Sequence, residues 1–97
     1  MKRTIQEFVL SQFPRTQYIE VPKGSVVLCV KEKLRTWLLY IETPITDEVE
    51  TKVFETFACD YEIDESLYPA AIMKYIGTIL NDNKGHAFHI FENQKQK

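Results

Sequence analysis

The chain alternates short apolar runs with turn-forming residues at a spacing of about ten residues, which is typical of an all-β sandwich or barrel. Within each run, apolar and polar positions follow the two-residue period of a strand. We therefore predict about seven short antiparallel strands and at most one short helix. The predicted strands are 4–10, 16–21, 25–31, 34–42, 49–59, 71–80 and 87–91.

The segments 25–31 and 34–42 have the strongest strand pattern. A short charged turn around Glu32 and Lys33 joins them, which predicts a hairpin. Both segments are apolar on both faces, as in strands that lie centrally or that contact a partner subunit. We therefore predict a homo-oligomer, with a dimer or a tetramer as the default form.

The other connections also contain residues that favour turns. Pro22-Lys23-Gly24 predicts a turn, because Pro presets φ and Gly adopts positive φ. Residues 81–85 predict the turn of a second, C-terminal hairpin. The acidic segment 60–69 is expected to be irregular, with one helical turn at 64–67. A helix is also compatible with 49–59, but its Thr, Val and Phe content favours a strand.

These elements predict one β domain over residues 1–92, followed by a frayed polar tail at 93–97. Cys29 and Cys59 stand in no Cys-x-x-Cys pair, so we expect two reduced cysteines that serve as small core residues. The residues predicted to form the core are Leu28, Val30, Leu39, Phe54, Ile76 and Ile90.

The composition argues against several classes of protein. The 97 residues are 44% hydrophobic, which excludes disorder for most of the chain. Twelve basic against fourteen acidic residues give a net charge of -2, which disfavours a duplex nucleic-acid binder. No apolar run approaches the roughly 18 residues that span a membrane, and the N-terminus does not resemble a signal peptide. We expect a soluble cytoplasmic protein.

The sequence offers little for catalysis. None of the three serines lies in a Gly-x-Ser-x-Gly motif, and there is no Walker loop or zinc-deaminase motif. The acidic residues Asp60, Glu62, Asp64 and Glu65 are conceivable as a metal or acid–base site, but such clusters are more often a solvated face. We predict a protein that is not an enzyme and that holds no metal or cofactor.

Binding is the better prospect, since nucleotides need cations for phosphates and flat side chains for bases. Around the first hairpin, Lys31, Lys33 and Arg35 lie close in sequence to Trp37 and Tyr40. Alternation puts the two lysines on one face, and Arg35 and Trp37 on a shared face. The alternative is that Trp37 belongs to the core and that the cations form an exposed turn resisting aggregation.

A second candidate set lies in the C-terminal hairpin and consists of Lys74, Tyr75, Thr78 and His89. Gly77 stands among them inside a strand, where Gly often marks a bulge or a close approach by a ligand or another backbone. The alternatives are that Gly77 leaves room for a neighbouring aromatic ring and that His89 is a core or interface histidine.

Four short motifs of the chain can be compared with known families: Pro22-Lys23-Gly24, Trp37-x-Leu39, Tyr75-Ile76-Gly77-Thr78 and Phe88-His89-Ile90-Phe91. Together they resemble a widespread family of small tailed-phage proteins catalogued as a domain of unknown function. The resemblance covers roughly residues 4–92. One departure is the segment Ala58-Cys59-Asp60-Tyr61, where the family usually has a Gly-Thr-Gly-His loop.

The resemblance implies a phage origin, and small phage proteins often inhibit host defence. Some sequester the cyclic nucleotide signals of anti-phage systems such as CBASS or Thoeris. We therefore expect a phage immune-evasion protein of the host cytoplasm that binds an anionic nucleotide signal, either a cyclic dinucleotide or an ADP-ribose-type molecule, without cleaving it, in pockets shared by subunits. The alternative is a phage accessory protein that binds a host or virion protein through an edge strand or an apolar face.

Overall fold

The computed structural model describes residues 2–81 and 85–94. Over this part of the chain the fold is all-β, as predicted, with seven strands and a single turn of 3₁₀ helix at Ala70–Ile72. None of the helical structure in these residues is long and apolar enough to cross a membrane. The strands are β1 (Arg3–Leu10), β2 (Thr16–Pro22), β3 (Val26–Lys33), β4 (Thr36–Pro44), β5 (Val49–Ala58), β6 (Met73–Asn81) and β7 (His86–Asn93).

The strands form two antiparallel sheets packed into a sandwich. The front sheet has the order β1-β4-β3, and the back sheet has the order β2-β5-β7-β6. Apolar side chains from the facing sides of both sheets build one core, in which Leu39, Ile41, Phe54 and Ile90 are completely buried. Each sheet thus covers one apolar face of the other, which is how β-sandwiches are stabilised.

Five of the six predicted core residues are buried, and Leu28 is the exception because it is 46% exposed. In the β3–β4 ladder Val27 pairs with Ile41 and Cys29 pairs with Tyr40, so Leu28 is the extra residue of a β-bulge. The bulge shifts the alternation by one position. As a result, both Val27 and Val30 contribute to the core although they are three residues apart.

The prediction of two core cysteines is wrong, because Cys59 is exposed and Cys29, although partly buried, lies outside the core. Both are free thiols, as predicted. β5 ends at Ala58, one residue earlier than predicted, so Cys59 lies in the turn that follows. Cys29 pairs with Tyr40 on the side of the front sheet that faces away from the core.

The turn of the first hairpin lies two residues further along the chain than predicted. Lys33 still pairs with Thr36, and the two turn residues, Leu34 and Arg35, have φ values of 51° and 65°. Two positive φ values in a two-residue loop define a type I′ turn, whose twist matches that of the flanking strands. The turn predicted at Pro22-Lys23-Gly24 is present, with φ of +88° at Gly24 and a hydrogen bond from Ser25 N to Pro22 O.

The acidic segment after β5 folds over the back sheet. The helical turn expected at 64–67 is a hydrogen-bonded turn in which Asp64 O accepts from Leu67 N and Tyr68 N. Hydrogen bonds from Ser66 hold the pKa of Asp64 below its usual value. The last two strands end later than predicted, at Asn81 and Asn93, and β6 begins at Met73 because residues 71 and 72 belong to the 3₁₀ turn. Residues 82–84 of the predicted turn and 95–97 of the predicted tail lie outside the described residues.

Candidate functional site

The two sheets meet edge to edge along one side of the sandwich. β3 is an edge strand of the front sheet, and β6 is an edge strand of the back sheet. A Cβ atom added at Gly77 would lie 3.0 Å from Val30 Cγ1 and 3.5 Å from Val30 O, so the backbones approach closely there. The two strands belong to different sheets and share no ladder. Each edge therefore has outward backbone donors and acceptors that no neighbouring strand pairs.

A groove of about 420 Å³ runs between these edges, lined by residues 29–32 and 76–80. This volume falls in the range of roughly 300–1,000 Å³ that small-molecule sites occupy. Val30 and Ile79, two core residues, supply apolar lining, and Lys31, Glu32 and Thr78 supply the polar groups. The groove thus combines an apolar lining, one cation, one carboxylate and a side-chain hydroxyl. We call it the edge groove.

Three of the predicted site residues form one chain of hydrogen bonds beside the edge groove. Thr78 Oγ1 lies 2.5 Å from Tyr75 Oη and 2.9 Å from His89 Nδ1. Thr78 and His89 are register partners on neighbouring strands. Tyr75 reaches the same face of the sheet because a bulge at Ile76, between Tyr75 and Gly77, shifts the alternation of β6.

Lys74, the fourth member of that set, is not part of this chain. It pairs in register with Glu92, and consecutive strand residues point to opposite faces, so it lies on the other face of β6 from Tyr75. Tyr75 itself is exposed, and its ring makes an edge contact with Phe91 at a centroid distance of 5.6 Å.

The fold does not bring the first predicted set together at one site; this set consists of Lys31, Lys33, Arg35, Trp37 and Tyr40. Trp37 is only 7% exposed and its ring lies 5.4 Å from that of Phe88 across the core, so the indole is not available to stack on a base. Arg35 lies in the type I′ turn and not in a strand. These two observations correct the prediction that Arg35 and Trp37 share one exposed face.

Lys31 and Lys33 do lie on one face, the outer face of the front sheet, where their register partners are Leu38 and Thr36. Lys33 Nζ is 3.7 Å from Glu7 Oε2. Tyr40 lies on this face as well, and its hydrogen bond to Glu7, followed by burial and the Glu7 charge, raises the pKa of the phenol. Of the first set, only Lys31 reaches the edge groove.

The sequence reasoning missed an aromatic cluster on the outer face of the back sheet. Phe57 is buried there under Tyr61 and Tyr68, with centroid distances of 5.5 and 5.1 Å. The Arg15 guanidinium lies 4.0 Å from the Tyr61 ring centroid and donates to Tyr61 Oη at 2.7 Å. The aromatic residues at 57, 61 and 68 could have predicted this cluster, because a phenylalanine on the outer face of β5 requires other apolar side chains to bury it. The cluster holds the acidic segment on the sheet.

Metal binding has no support in the part of the chain that the structure describes, where no three His, Cys, Asp or Glu side chains are grouped to hold an ion. The acidic residues Asp60, Glu62, Asp64 and Glu65 are all exposed. Asp64 accepts from Ser66 N and Ser66 Oγ, and Glu65 accepts from Ala70 N. These contacts stabilise the turns of the segment.

Comparison with known proteins identifies a family but no function. No curated protein and no solved structure matches the chain. The model of a domain of unknown function, DUF7352, matches residues 1–97, which is the whole chain. A match of this extent agrees with the resemblance to a family of unknown function noted from the motifs. The chain therefore belongs to the DUF7352 family.

Proposed function

We propose that this protein binds and sequesters an anionic nucleotide signal in the edge groove without cleaving it. The observation that carries the proposal is that Lys31 and Thr78, which come from two separate candidate sets, line the same groove. An ammonium group and a hydroxyl at one site provide a charge-assisted and a neutral hydrogen bond for a phosphate. A cyclic dinucleotide or an ADP-ribose derivative has the matching chemistry.

The groups around the groove fit both the phosphates and the bases of such a ligand. Backbone N–H groups on the unpaired edges of β3 and β6 are further donors for phosphate oxygens. The exposed ring of Tyr75 can stack on a base, a contact worth roughly 1–3 kcal/mol in nucleic-acid complexes. Its hydroxyl is already held by Thr78, so little side-chain freedom is lost on binding. Glu32 supplies an acceptor for a ribose hydroxyl or a base N–H.

The contact between Thr78 and His89 resembles that between a catalytic nucleophile and its general base. In both, a hydroxyl lies within hydrogen-bond distance of an imidazole nitrogen, here at 2.9 Å. Here the same hydroxyl is also engaged by Tyr75 Oη. Among the described residues, no carboxylate is seen to orient the His89 ring, in contrast to a catalytic triad. We therefore propose that the chain orients its ligand and leaves it intact.

The biological setting that we propose is inhibition of nucleotide-based anti-phage signalling by a phage-encoded protein in the host cytoplasm. This setting rests on the resemblance of the sequence motifs alone. The competing proposal is a phage accessory protein that binds a host or virion protein. The unpaired outer edges of β1 and β2 support that alternative, since an extended segment can add to such an edge.

A thermal-shift panel of cyclic dinucleotides, linear dinucleotides and ADP-ribose derivatives tests the proposal. A ligand present at one hundred times its Kd adds about 2.7 kcal/mol to the stability. In a domain of this size that raises Tm by roughly 10 °C or more. We expect such a shift for at least one anionic nucleotide, which is then recovered intact after denaturation. No shift with any nucleotide would favour the protein-binding alternative, and a cleaved product would contradict sequestration.

A further inference from the structure

The outer face of the front sheet carries exposed apolar side chains on both strands that flank β4. Ile5 and Val9 from β1 and Val26 from β3 are exposed on this face. They flank β4, whose outward residues are their register partners Leu38 and Glu42. On the outer face of the back sheet, residues of the acidic segment cover Phe57. An exposed apolar sheet face of this kind marks an interaction surface.

The charges on this face are arranged asymmetrically across the sheet. Glu7 lies on β1 and Lys31 on β3, at opposite edges, and their register partners on β4 are Tyr40 and Leu38. The two charges are thus offset by a single row of outward residues. Lys31 has no ion-pair partner within the described residues, whereas Glu7 is paired with Lys33 at 3.7 Å and accepts a hydrogen bond from Tyr40. A carboxylate has lone pairs for more than two such contacts.

We propose that a second copy of this chain covers the face, in a dimer whose two-fold axis runs parallel to the strands along β4. Such an axis places β1 of one copy over β3 of the other. Glu7 then lies within one row of Lys31 of the other copy, and the same contact is repeated by symmetry. Sheets pack about 10 Å apart with rows about 7 Å apart, which long Glu and Lys side chains span.

The same axis covers the exposed apolar side chains of β1 and β3. Val9 lies in the row of Leu38 and Lys31, and Ile5 lies in the row of Glu42 and Val26. Ile5 of one copy therefore meets Val26 of the other, and the two β4 strands face each other at the axis. An isologous dimer needs a face that is complementary to itself in shape and in charge. About that axis Glu7 and Lys31 are complementary, and Glu42, which faces Glu42 of the other copy, is neutralised by Arg3 at 2.5 Å. The inference does not rest on the proposed ligand, although it gives Lys31 a second role.

Light scattering on the full chain is the test. Two chains of 11.4 kDa each give a dimer of about 23 kDa, which we expect for the wild type at about 100 µM. Ile5→Asp, which places a charge against Val26 of the other copy, should reduce the mass to that of one chain. The matched control is Val49→Asp on the back sheet, where the side chain is 55% exposed against 59% for Ile5, and it should leave the mass unchanged. A wild-type monomer, or a mass unaffected by Ile5→Asp, would overturn the proposal.

A charge-reversal pair tests the orientation of the axis. Glu7→Lys should raise the dimer dissociation constant at least tenfold, and adding Lys31→Glu should restore it to near the wild-type value. Circular dichroism of each variant establishes that the sheets are retained. If the double variant is weaker than both single variants, Glu7 and Lys31 do not meet across the interface and the proposed axis is wrong.

Discussion

At Gly77 the missing side chain determines how closely the two sheet edges approach. The nearest atom to an added Cβ is Val30 Cγ1 at 3.0 Å, a distance at which a neighbour must move. Gly77 has no positive φ, so alanine meets no backbone strain there and the test is purely steric. Gly77 thus serves the close approach of a neighbouring strand, one of the roles expected for a glycine inside a strand.

We expect Gly77→Ala to destabilise the fold by about 1–3 kcal/mol, as overpacking does. Val30→Ala removes the atom that collides, so the same glycine substitution should cost clearly less in that background. Urea denaturation of the four proteins of this double-mutant cycle gives the coupling energy. Equal costs of Gly77→Ala in both backgrounds would show that the contact with Val30 is not what requires glycine.

Tyr40 gives a pH-dependent prediction at the same scale. Its folded-state pKa is raised above 10.0, first by the hydrogen bond to Glu7. The stability that this contact provides is fully present below pH 10 and is lost as the pH rises through the folded-state pKa. We expect the free energy of unfolding to fall more steeply above pH 10 in the wild type than in Tyr40→Phe. Parallel curves for the two proteins would contradict the assignment.

Among the elements, the β3–β4 hairpin has turn residues that do not favour the backbone conformation of its turn. Leu34 and Arg35 both adopt positive φ, which costs a residue with a side chain roughly 1 kcal/mol. Type I′ turns favour Asn and Gly for this reason. Leu34 is also largely exposed, so its side chain gains little from packing. The hairpin therefore forms in spite of its turn residues, because the flanking strands pack into the sandwich.

Arg35→Gly should raise the free energy of unfolding by roughly 0.5–1 kcal/mol, because glycine adopts the left-handed conformation without strain. Chemical denaturation measures this directly. Lys23→Gly, at an exposed turn position with no positive φ, is a control that should bring no gain. A loss of stability in Arg35→Gly would mean that the guanidinium makes a contact that outweighs the strain.

An ion pair joins β5 to β7 near the core. Lys52 Nζ lies 3.2 Å from Glu92 Oε2, and both side chains are largely buried. Removing one partner of such a pair leaves a buried charge and costs about 3–5 kcal/mol. We expect Lys52→Met to be destabilising on that scale, and Lys52→Met combined with Glu92→Gln to recover part of the loss. A double variant as unstable as Lys52→Met alone would argue against an uncompensated Glu92 charge.

The strands could be predicted from the sequence because a period of two residues is a local property, but the two bulges could not. Leu28 and Ile76 are both apolar residues in apolar runs, and nothing local separates the exposed Leu28 from the buried Ile76. The bulges are set by how each strand fits its neighbours and the opposite sheet. For the same reason the pattern predicts that β4 is apolar on both faces without indicating which face carries Trp37.

At the scale of the whole molecule, the site could be predicted only where it depends on neighbouring strands of one hairpin and not on the packing of the two sheets. Tyr75, Thr78 and His89 could be selected because neighbouring strands of a hairpin bring them together. Lys31 and Thr78 lie 47 positions apart in the chain and meet only because β3 and β6 are the edges of different sheets. A groove between two sheets depends on the packing of the complete sandwich, which no segment of the sequence specifies alone.

The most direct test of the edge groove as the binding site is an isothermal titration with the panel nucleotide that gives the largest thermal shift. Thr78→Val removes the hydroxyl and keeps the shape of the side chain, and Thr51→Val makes the same change at an exposed position on β5. We expect a wild-type Kd below about 10 µM, which corresponds to roughly 7 kcal/mol of binding free energy. Thr78→Val should weaken binding at least tenfold and Thr51→Val should not. Equal affinities of Thr78→Val and the wild type would contradict the assignment of the site to this groove.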